Sequence, residues 1–108
     1  MTKYIFAASY SKDAMSGFLK DPGSDRMAAA NALASGFGGK CEKITFTRGK
    51  YDFIAEFELP NFNAAAGIKM VTMSSGAFSK MDIMEPVDLN NVADKASKVA
   101  ENYKAVGK

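Results

Sequence analysis

Between residues 41 and 59 the chain alternates polar and apolar positions with a period of two. Cys41 to Arg48 reads as a strand, with Glu42, Ile44, Phe46 and Arg48 on one side and Cys41, Lys43, Thr45 and Thr47 on the other. Gly49-Lys50 then predicts a turn, because glycine reaches the backbone angles a hairpin needs. Tyr51 to Leu59 predicts the returning strand. Tyr51, Phe53, Ala55, Phe57 and Leu59 share a face suited to packing on helices. Asp52, Ile54, Glu56 and Glu58 share the other, which must meet something that tolerates carboxylates.

The flanking segments follow other periods. Tyr4 to Tyr10 is short and apolar on both faces, which predicts an inner strand covered on two sides. Ala14, Met15, Phe18 and Leu19 fall on one helical face after the capping run Ser11-Lys12-Asp13, and Asp21-Pro22-Gly23-Ser24 breaks that short helix. Ser24 or Asp25 caps a longer helix over 26–36. The glycine-rich run Ser35 to Lys40 follows a helix and precedes a strand, so it predicts a helix C-cap; a phosphate cradle would precede a helix instead. Pro60-Asn61-Phe62-Asn63 opens a helix that runs to about Met73, with Asn61 or Asn63 as its cap. Ala77 to Met84 predicts a fourth strand, ended by Glu85-Pro86. Leu89, Val92, Ala96, Val99, Tyr103 and Val106 recur at alternating spacings of three and four, which predicts a last helix with one apolar seam.

The element order predicts an α+β fold of the ferredoxin-like βαββαβ kind: a four-stranded antiparallel sheet with helices on one face. Residues 1–86 form that domain, and 87–108 form a C-terminal helix packed on the domain or on a partner subunit. The open sheet face needs water or a second copy, so a homodimer or higher homo-oligomer through that face is expected.

Composition narrows the chemistry. At 108 residues the chain holds one domain. Its 14 basic residues are mixed with 12 acidic ones, and the only arginines are Arg26 and Arg48. That pattern argues against a nucleic-acid surface. The absence of His removes imidazole acid–base catalysis and His metal ligands. Cys41 stands alone, which excludes an intrachain disulfide and predicts a buried, inert thiol. No apolar run matches a signal peptide or a membrane span, so a cytoplasmic protein with no membrane partner is expected. No metal site or cofactor is expected.

Asp52, Glu56 and Glu58 are the obvious acidic set. Strand geometry puts the first two Cα atoms about 13 Å apart and the last two about 7 Å apart. They are candidates for general acid–base work, and equally for cross-strand pairing with Lys43, Lys80 or Thr45. Tyr51 and Asp52 beside Gly49 either line a pocket mouth or fix the hairpin, with Tyr51 as a core anchor and Asp52 bonding turn amides. The candidate ligand-binding set is therefore Tyr51, Asp52, Glu56, Glu58, Lys43 and Lys80; no catalytic residue is assigned. Met70, Met73, Met81 and Met84 predict core filling, with an apolar ligand site as the alternative.

Lys3-Tyr4-Ile5, Gly39-Lys40, Gly49-Lys50-Tyr51-Asp52 and Glu58-Leu59-Pro60-Asn61 before an alanine-rich helix resemble the GYD-domain family over about residues 3–84. The resemblance implies a ferredoxin-like domain akin to the dimeric α/β-barrel superfamily, whose members pair sheet face to sheet face. It implies no activity. Three functions follow as expectations: a homo-oligomer that binds a small molecule; a cofactor-independent enzyme of monooxygenase or isomerase type using Asp52, Glu56 and Tyr51; or a structural module docking through its last helix.

Overall fold

In the computed structural model, which describes residues 1–107, a central strand carries the sheet. The final position of the 87–108 segment lies outside the described residues. The central strand is β1 (Thr2–Tyr10), followed by α1 (Lys12–Lys20), α2 (Arg26–Gly36), β2 (Lys40–Phe46), β3 (Phe53–Leu59), α3 (Phe62–Ser74), β4 (Phe78–Met84) and α4 (Leu89–Ala100). The sheet order is β2-β3-β1-β4, and every neighbouring pair is antiparallel. This is the expected α+β, ferredoxin-like type of arrangement. It departs from a strict βαββαβ by carrying two helices in the first crossover and one after β4.

The helix boundaries follow from their caps. Ser11, Asp25, Asn61 and Asp88 each accept a hydrogen bond from the backbone N–H three residues on, at the starts of α1, α2, α3 and α4. The glycine-rich run closes α2, as its position predicts: the Gly39 N–H donates to Ala34 O at 2.9 Å. A Cβ on Gly39 would stand 2.2 Å from Glu58 O, so only glycine lets the chain enter β2 this close to β3.

The core lies between one sheet face and the helices. Tyr4, Phe6 and Ala8 from β1, Phe53, Ala55, Phe57 and Leu59 from β3, and Ala64, Ala65 and Ile68 from α3 are buried in it. Phe6, Leu59 and Ile68 are fully enclosed; each burial of this kind stabilises by about 1.5–3 kcal/mol. Met81 completes the core and Met73 packs against it, while Met70 and Met84 are exposed.

Three expectations need correction. β2 does not keep one alternation. The ladder skips Glu42 between the pairs Cys41–Phe57 and Lys43–Glu56, a bulge that inverts the parity. Cys41 and Ile44 therefore both face the helices, and Glu42 stays in solvent. The Cys41 amide donates to Asn31 Oδ1 at 3.0 Å, and burial pushes its thiol pKa up. Next, β2 stops at Phe46 and β3 starts at Phe53, so the hairpin loop is longer than a Gly49-Lys50 turn. Finally, β1 is an inner strand, but within one chain only one of its faces is covered by helices.

The open face carries Lys3, Ile5, Ala7 and Ser9 of β1 beside Ile54, Glu56 and Glu58 of β3 and Lys80, Asp82 and Met84 of β4, by strand parity and register. All of α4 is exposed, including Leu89, Val92 and Val99 of its apolar seam. Among the described residues, no helix is long and apolar enough to cross a membrane.

Candidate functional site

The hairpin loop, residues 47–52, folds onto the ends of β1 and β4. Thr47 closes it: its N–H donates to Asp52 O at 2.9 Å and its hydroxyl to Tyr51 O at 2.6 Å. Gly49 takes φ of 142°, a conformation that side-chain-bearing residues rarely adopt. The Ser9 hydroxyl donates to Lys50 O at 3.0 Å. The Asp52 N–H donates to Ala8 O at 2.8 Å, and Asp52 Oδ2 accepts the Tyr10 N–H at 2.8 Å. Asp52 thus bonds an amide of the neighbouring strand.

Tyr51 is not a core anchor. Because it sits in the loop, strand parity does not govern it, and its side chain reaches the open sheet face. Its hydroxyl donates to Asp82 Oδ2 at 2.6 Å, and Lys80 Nζ stands 5.4 Å from its ring centroid and 3.8 Å from Asp82 Oδ2. The hydrogen bond to Asp82 is the main force raising the Tyr51 pKa, and the same bond is the main force lowering that of Asp82.

The other candidates lie further along the same face. Glu56 pairs with Lys3 at 3.4 Å. Glu58 lies opposite both Lys3 and Lys40 in the ladders, and Lys43 lies opposite Glu56 without forming an ion pair. The structure joins Tyr51 to Lys80 through Asp82. It sends Asp52 to the β1 backbone and leaves Glu56 with Lys3. Among the described residues, no group of three or more His, Cys, Asp or Glu could hold a metal ion.

A second site lies on the opposite side of the sheet. A cavity of about 140 Å³ separates it from α2 and α3. Its walls include Phe6, Phe57, Leu33 and Ile68. Ala29 and Ala30 of α2 also line it, and their small side chains leave the space that larger residues would fill. The polar groups on its wall are Tyr10, Arg26 and Thr72. The Thr72 hydroxyl is committed to Ile68 O at 2.8 Å. Tyr10 is boxed by aromatic rings, Phe18 at 4.9 Å, Phe78 at 5.2 Å and Phe53 at 5.3 Å between centroids. Burial raises its pKa, Arg26 pulls the other way, and Asp52 adds to the rise. Arg26 Nε is buried with no hydrogen-bond partner.

Sequence reasoning missed Asp82, Lys3, Tyr10 and Arg26 as site residues. The first two were within reach: Asp82 shares the strand parity of Lys80, and Lys3 that of Ile5. Nothing local marks Tyr10 and Arg26, which meet only because α2 docks across the sheet.

A family model described as the GYD domain matches residues 4–102. The match runs through β4 and past the end of α4, beyond the 3–84 span of the sequence resemblance. No curated protein and no solved structure gives a match.

Proposed function

The chain belongs to the GYD-domain family, and from that premise we propose that it is a small ligand-binding protein that works as a homo-oligomer. The observation that carries this reading is the cavity of about 140 Å³ between the sheet and the helices. An apolar cavity of about 150 Å³ admits a benzene-sized molecule, so the ligand, or the part of it that enters, has that size. Association through the open sheet face is supported by Ile5 and Ile54, which are only half-buried within one chain, and by the exposed Met84. A reducing, cytoplasmic setting belongs to the same reading, resting on the free, buried thiol of Cys41.

The cavity reading is tested by thermal shift with benzene, toluene and indole. A bound ligand at about 100 times its dissociation constant adds about 2.7 kcal/mol, which raises the melting temperature. Ala30→Phe, which fills the cavity from α2, should abolish the shift. If none of the three compounds stabilises the wild-type protein, the reading fails.

One observation favours a second reading, the docking module: α4 is amphipathic and exposed along its whole length. The enzyme reading draws on Tyr51, Asp52 and Glu56, and these three engage Asp82, Tyr10 and Lys3 separately.

A further inference from the structure

Resting on the reading of the cavity as a ligand site, we infer that its ligand is a small apolar carboxylic acid, its carboxylate held by the Arg26 guanidinium and the Tyr10 hydroxyl. Two of the three polar groups of the cavity, Arg26 and Tyr10, have a donor to spare. Arg26 offers only donors, and its buried Nε–H has no acceptor in the protein. The phenol of Tyr10 responds to burial, to Arg26 and to Asp52, and no hydrogen bond acts on it. Thr72 has already given its proton to the backbone. A ligand that fits must therefore bring an acceptor, and a guanidinium beside it favours an anion with two oxygens in a plane.

Position supports the same reading. Tyr10, Arg26 and Phe78 line the cavity and also a hollow toward α1 that opens to solvent. They form the wall between the two, which places the polar pair at the mouth and the apolar walls deeper in. An amphipathic acid entering with its hydrocarbon first would leave its carboxylate at that mouth. Of the nearby carboxylates, Asp25 caps α2 through the Ala28 N–H at 3.0 Å and Asp52 holds the Tyr10 N–H, while Asp21 lines the outer hollow without pairing with Arg26. Among the described residues, no acidic side chain forms an ion pair with Arg26.

The test compares benzoate with toluene, two molecules alike in their ring and different in charge, by amide chemical-shift titration of the full chain at neutral pH. Benzoate should bind about tenfold tighter or better, the factor one charge-assisted hydrogen bond supplies. Arg26→Met keeps the helix and the apolar stem, and should lose that factor for benzoate while binding toluene as before. Tyr10→Phe should weaken benzoate less. Benzoate binding no tighter than toluene to the wild-type protein overturns the acid reading and leaves the cavity reading intact; that comparison needs no variant. Arg26→Met binding benzoate as well as the wild type also overturns it. If neither compound shifts the amides that line the cavity, the cavity reading itself has failed and takes this inference with it.

Discussion

Asp52 holds the end of β1 in place: its Oδ2 accepts the Tyr10 N–H at 2.8 Å, across a sequence separation of 42 residues. Together with the Asp52 N–H donating to Ala8 O, it extends the β1–β3 ladder past its last paired residues. Replacing Asp52 by Ala orphans a half-buried amide and should cost about 1–3 kcal/mol. Asn retains an acceptor oxygen, so Asp52→Asn should lose clearly less. Urea denaturation of the three proteins checks the order, and equal losses for Ala and Asn would refute the latch.

Tyr51 and Asp82 give a pH signature. Asp82 has a depressed pKa in the folded protein, so its contribution is present above the unfolded value of about 4 and is lost as pH falls through the folded value. Tyr51 has a raised pKa, so its contribution is present below about 10 and is lost as pH rises through the folded value. The stability gap between wild type and Tyr51→Phe should be widest near neutrality and narrow at pH values below about 4 and above about 10. Urea midpoints across that range test this. Carboxyl-carbon NMR should show the Asp82 pKa rising in the variant.

Two glycines separate steric from conformational cost. A Cβ on Gly39 meets the backbone oxygen of Glu58, which cannot give way without moving β3. Gly39→Ala should therefore destabilise by about 3 kcal/mol or more. A Cβ on Gly49 has nothing within 4 Å, and only its φ of 142° is strained. Gly49→Ala should cost about 1–2 kcal/mol. Thermal melts of both variants should rank them in that order.

Self-association has two candidate surfaces. Ile54 lies on the open sheet face, half-buried and paired with Ala7 and Thr45. If the proposed pairing through this face holds, the wild-type protein should sediment as an oligomer at micromolar concentration and Ile54→Lys as single chains. Deleting 87–108 removes α4, which packs extensively on no other described element, so the remainder should keep its cooperative thermal unfolding and lose only the helical circular-dichroism signal of α4. If the deletion dissociates the oligomer and Ile54→Lys does not, α4 is the docking element. A wild-type protein that sediments as a single chain would remove the oligomer reading.

The sequence by itself determined the elements and most of their faces. Period-two alternation marked β3, capping residues marked where the helices begin, and Gly49-Lys50 marked a turn between β2 and β3, though not the length of the loop. These are local signals, set by backbone angles and by neighbours within a few residues. Only the tertiary structure decided where the loop side chains went. Once the chain leaves the ladder at Phe46, alternation no longer assigns faces, so Tyr51 crosses to Asp82 and Asp52 to Tyr10. The bulge at Glu42 had the same effect on Cys41, because one extra residue inverts a period of two. The cavity was beyond any local reading. It exists because α2 contributes the small side chains of Ala29 and Ala30 to the wall, and because the packing of α2 brings Arg26 to the same wall as Tyr10.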